Sequence, residues 1–164
     1  MNLIIKEINK ENFLKYGQLI TTKNIKGENV NDNTSKSFYD LVDIEILGEN
    51  RECRVNIFKA KKRIFPLKLE MLENHPFSSQ TFIPLKDTIF IVVVAPISKV
   101  PDLNKLEAFK VSDQEGVNFK PKVWHFPLIA TEDSNFLTID KKDTKNNLEI
   151  YNFQNNDKIY LNYE

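Results

Sequence analysis

A chain of 164 residues, 41% apolar and 28% charged, is long enough to bury a core without metal or disulfide support. Its 23 basic and 23 acidic side chains cancel, which removes the electrostatic footprint of a nucleic-acid binder or of a protein drawn to an anionic membrane. Cys53 is the single cysteine, so no internal disulfide can form, and it is expected as a small buried or half-buried side chain on a strand.

The amino-terminal residues lack the basic start and long apolar run of a signal peptide. The longest apolar run, 89–96, is too short to span a bilayer. One cytoplasmic domain over 1–164, with no membrane or nucleic-acid partner, is the expectation.

In chain order, residues 3–8 read as a short strand. Asn9 then caps a short helix over 11–16, which Gly17 ends. Residues 22–36 are polar, with five asparagines or aspartates between 24 and 33, and read as a long loop. Val42, Ile44 and Ile46 alternate with Asp43 and Glu45 as in a half-buried strand. Further strand signals cover 54–59, where alternation is less clean, then 67–71, 81–83 and the fully apolar 89–95. Residues 103–109 fit either a helical turn or a strand. Strand patterns resume at 123–125, 129–131, 136–140 and 148–153. Many short strands without βαβ alternation predict a mostly-β sandwich or barrel with one or two short helices.

No glycine-rich phosphate loop, Gly-x-Ser-x-Gly elbow or cysteine pair is present. The two histidines, His75 and His125, are therefore the first candidates for acid, base or metal work. A histidine beside a proline is equally compatible with a packed side chain bonded to a backbone carbonyl. Both stand at strand ends beside X-Pro turns, where the mouth of a barrel places side chains. The stretch 73–85, Glu-Asn-His-Pro-Phe-Ser-Ser-Gln-Thr-Phe-Ile-Pro-Leu, is expected to face the segment 116–128 across one pocket. Gln80 is either exposed or a polar orienting group on the pocket wall. Trp124 and Phe126 alternate away from His125 toward core or interface packing, with Trp124 also a candidate substrate contact. Lys59 is either solvated or the partner of a substrate carboxylate.

These segments resemble the ureidoglycolate lyase family. The resemblance is carried by 73–85, Phe-Ile-Val-Val-Val-Ala (90–95), Leu-Glu-Ala-Phe (106–109), Gly-Val-Asn-Phe and Val-Trp-His-Phe-Pro-Leu within 116–128, and Phe-Leu-Thr-Ile-Asp-Lys (136–141). It implies a cupin-like β-barrel (a double-stranded β-helix), a homodimer, and cleavage of (S)-ureidoglycolate to glyoxylate and urea in allantoin and purine breakdown. The implied catalytic residues are His75, His125 and Gln80, and the implied substrate contacts include Asn118 and Lys59. Lys59 and Lys141 stand where the family has arginines, Phe126 stands where a second histidine is common, and the tail departs from Asp143 onward. An Arg-to-Lys exchange loses the bidentate carboxylate fork. Cofactor need is open: either none, or a divalent metal such as nickel or zinc held by His75, Gln80 and His125, although glutamine is a weak ligand. A ureidoglycolate hydrolase, related chemistry on another small hydroxy acid, and a non-catalytic cupin binding a small acid are the alternatives.

Overall fold

A computed structural model describes residues 1–142 and 145–163, so Asp143, where the tail departs, lies outside the described residues. Phe90–Ala95 is buried along its whole length, as its unbroken apolar run requires, and forms the middle of a seven-stranded sheet. From edge to edge that sheet runs Glu149–Asn152, Met71–Asn74, Trp124–His125, Phe90–Ala95, Glu107–Val111 and Ile5–Glu7, with Ile129–Ala130 also paired to the central strand. A five-stranded sheet faces it, in the order Gly17–Ile20, Gly116–Phe119, Gln80–Pro84, Ser134–Lys141 and Cys53–Ala60. Among the described residues the ladders do not close these sheets into one ring. The fold is a cupin-like sandwich.

Strand periodicity divides the apolar side chains into two cores. Val92, Val94, Phe82, Phe119 and Phe136 meet between the two large sheets. Val93, Ala95, Leu72 and Trp124, from the other face of the seven-stranded sheet, pack on Leu69, Ile159 and Leu161 of a three-stranded sheet. No helix among the described residues is long and apolar enough to cross a membrane. The α-helix is one turn, Lys10–Phe13, capped by Asn9 in a capping box with Asn12, and a 3₁₀ turn follows at Leu103–Lys105.

Several sequence expectations are corrected. The polar stretch 22–36 contains a hairpin, Glu28–Val30 with Ser35–Ser37, turned by Asn31, Asp32 and Asn33 at φ of 52°, 55° and 64°. Asparagine and aspartate tolerate that left-handed region, which composition alone reads as loop. Residues 42–46 form no strand beyond an isolated bridge from Ile46 to Ser78, because side chains take several of its backbone bonds. Asp43 N–H donates to Gln18 and Glu45 N–H to the Ser79 hydroxyl. The segment 103–109 is both things in turn, the 3₁₀ turn and then the strand Glu107–Val111. Gly17–Ile20, Gly116–Phe119 and Ile159–Leu161 are strands that their short patterns did not announce. Cys53 is on a strand as expected but exposed, at the start of an edge strand.

Gly17 lies against Gly116–Phe119 so closely that a Cβ would meet the Asn118 carbonyl oxygen at 2.1 Å. Backbone cannot yield as a side-chain tip can, so Gly17→Ala is expected to destabilise the fold by about 3 kcal/mol, measured by urea unfolding.

Candidate active site

Glu73 and His75 are two residues apart at the end of Met71–Asn74, so both turn toward the interior while Leu72 and Asn74 turn away. Glu73 pairs in register with His125 on the neighbouring strand, which brings both histidines to one place. Their rings are 5.3 Å apart. Gln80 enters from the facing sheet with its Oε1 3.1 Å from His125 Nε2, and Glu73 Oε1 stands 3.5 Å from the same nitrogen. Phe119 lies flat on the His125 ring at 4.5 Å and 10°.

The hydrogen bonds distinguish the two imidazoles. A carbonyl oxygen only accepts, so His75 Nδ1, 2.7 Å from the Asn147 carbonyl, carries its proton. Neutral His75 therefore has its lone pair on Nε2, which is buried and has no hydrogen-bond partner among the described residues. His125 Nδ1 donates to the Val123 carbonyl at 3.0 Å, and its Nε2 faces oxygens from Gln80 and Glu73. A protonated His125 has donors for both sides. The site thus contains one open acceptor nitrogen on His75 and one nitrogen on His125 that faces an amide oxygen and a carboxylate.

The turn carrying His75 is clamped from two sides. Asn147 accepts from Phe77 N–H and donates to the Ser78 hydroxyl, while the 45–47 segment bonds to the backbone of Phe77 and Ser79. Burial and the neighbouring charge of His125 hold the His75 pKa below its ordinary value of 6.5. Burial pushes the Glu73 carboxyl up, but its hydrogen bond to His125 and the charges of both histidines outweigh this and leave it below its ordinary value.

The remaining candidates fall elsewhere. Trp124 is on the opposite face of its strand, in the second core, donating to the Ser98 carbonyl at 2.9 Å. Asn118 is buried on the outer side of the five-stranded sheet, occupied by Thr81 at 2.8 Å, the Asp43 carbonyl at 2.8 Å and Gln18. Lys59 borders a cleft of about 470 Å³ with Phe58, Glu73, Phe82 and Lys62, on an exposed strand position. Lys141 is bound to the Leu47 and Asn50 carbonyls. Phe126 belongs to the second core.

The donor set suits a divalent metal. One ligand atom each from Glu73, His75 and His125 lie within 4.8 Å of one another, and the unpartnered His75 Nε2 is among the atoms available. Glu73 supplies the carboxylate in this set, where the sequence had suggested Gln80. Its signal was the Glu-x-His spacing on a strand, which places both side chains on one face.

Residues 1–160 match the family model described as ureidoglycolate lyase. The chain belongs to that family. A Burkholderia mallei protein named ureidoglycolate lyase is 38% identical over 151 residues, covering 92% of this chain and 88% of its own length. Proteins of the same name from Pseudomonas paraeruginosa and Pseudomonas putida are 33% and 32% identical, covering 97% and 98% of this chain and 95% and 96% of their own.

A depressed histidine pKa has a signed consequence for stability. Below pH 6.5 the unfolded chain takes a proton that folded His75 resists, so its contribution is complete above that value and is lost as pH falls toward the folded pKa. His75→Asn is expected to flatten the decline in unfolding free energy between about pH 7 and pH 5, measured by denaturant titration at each pH.

Proposed function

We propose that this protein is a ureidoglycolate lyase that splits (S)-ureidoglycolate into glyoxylate and urea. The observation carrying this reading is the unequal pair of histidines, one with a bare Nε2 and one with Nε2 beside a carboxylate and an amide. The substrate has a hydroxyl and a urea nitrogen on one carbon, next to a carboxylate. Elimination from it needs a base at the hydroxyl and an acid at the departing nitrogen, with no water to activate.

In this reading His75 Nε2 takes the hydroxyl proton as the carbon–oxygen double bond forms. The carbon–nitrogen bond breaks, its electron pair goes to nitrogen, and His125 Nε2–H delivers the proton that completes urea. His75 ends protonated and His125 neutral, and a proton passed between them restores the start. Glu73, ionised at neutral pH, balances the charge on the imidazoles, and Gln80 fixes the orientation of His125. Burial in the sandwich strengthens each of these polar interactions over its value in water. Lys59 and Lys62 make no ion pair among the described residues, and they place positive charge at the mouth of the cleft for an anionic substrate.

A divalent ion such as nickel or zinc on Glu73, His75 and His125 would act as a Lewis acid toward the hydroxyl or carboxylate. An Nε2 that holds a metal cannot also accept the hydroxyl proton. Full activity after exhaustive chelation therefore assigns that lone pair to proton transfer, and loss of activity restored by nickel or zinc assigns it to the metal. The homodimer implied by the family fits Val55 and Ile57, exposed side by side on the outer face of the five-stranded sheet.

Ureidoglycolate mixed with the protein is expected to yield urea and glyoxylate in equal amounts, followed by NMR. His75→Ala and His125→Ala should each lower kcat by about 10²- to 10⁴-fold. Ammonia in place of urea would transfer the protein to the hydrolase reading.

A further inference from the structure

Lys59 shares the outer face of its strand with Val55 and Ile57, while Arg54, Asn56, Phe58 and Ala60 face the interior. Arg54 pairs in register with Asp140, and Ile139 pairs with Thr81, which puts Asp140 at the level of Gln80. Arg54 Nε donates to Asp140 Oδ1 at 2.6 Å and Nη2 approaches Oδ2 at 3.4 Å. Asn56 bridges to Thr138 and Asp140, so a polar row crosses the inner face of the sheet. Asp140 is only 4% exposed, and its charge reaches His75. Arg54 itself is half-buried, and among the described residues only its Nε and Nη2 are engaged, both by Asp140, which leaves Nη1 available.

We propose that Arg54, anchored by Asp140, binds the carboxylate of a small α-hydroxy acid inside the sandwich and so fixes which end of the substrate meets the histidines. The proposal deepens the lyase reading and takes the identity of the substrate from it. A guanidinium held at Nε by one carboxylate still presents a planar fork at its far end to a second. Arg54 in turn offsets the charge of Asp140, the buried member of the pair, when no ligand is present.

The test uses the full chain and two uncleavable probes, glycolate and its neutral amide glycolamide, with binding followed by NMR titration. Arg54→Gln should weaken glycolate binding and raise KM for ureidoglycolate by about 10- to 100-fold, leaving glycolamide binding unchanged. Lys59→Gln should change either quantity by less than about 5-fold. Arg54→Lys keeps the charge without the fork and should fall between wild type and Arg54→Gln, and it serves as the test if Arg54→Gln does not fold. Unchanged glycolate affinity in the Arg54 variants, an equal loss of both probes, or a loss carried by Lys59→Gln overturns the assignment. A wild type that binds glycolate through Arg54 but releases no urea overturns the lyase reading instead and leaves this assignment standing.

Discussion

A buried, neutral imidazole that gives one N–H to a carbonyl has its other nitrogen committed as an acceptor, and His75 is in that state against Asn147. The arrangement of the site depends on this bond. Without it the two histidines, 5.3 Å apart in a shared interior, would be free to exchange tautomers and compete for the same role. The acceptor is a backbone atom, and the side chain of the same residue grips the Phe77–Ser78 turn, so the carbonyl and the ring are held by one clamp.

Around the clamp, the sandwich combines an apolar interior with a polar band. Phe58 meets Phe82, Phe82 meets Phe119, and Phe119 lies flat on His125, so a run of rings links an edge strand to His125. The polar groups beside them are satisfied mostly by one another: Glu73 and Gln80 on His125, Asn56 and Arg54 on Asp140. Burial makes an unsatisfied partner costly and a matched one strong, which favours a network completed before a substrate arrives. His75 Nε2 is the conspicuous gap in it.

Sequence alone carried much of this. The unbroken apolar run at 90–95, the helix cap at Asn9 and the meeting of His75, Gln80 and His125 were legible because each depends on short-range pattern or motif. Glu73 and Arg54 were not, although each obeys period two on its strand. An alternating pattern tells which residues share a face, but not which face is inside. Cys53–Ala60 shows the difficulty: its aliphatic Val55 and Ile57 point outward and its Arg54 and Asn56 inward, against the usual expectation. The 42–46 segment failed for another reason, since its bonds go to side chains on distant strands that no local window contains.

The flat contact between Phe119 and His125 has an entropic meaning. With Nδ1 tied to Val123 and one face covered by a parallel ring, the imidazole has little torsional freedom left to surrender. A ligand of a few heavy atoms has little binding energy with which to order a catalyst. Here folding has already done the ordering, and His125 Nε2 is aimed before any encounter.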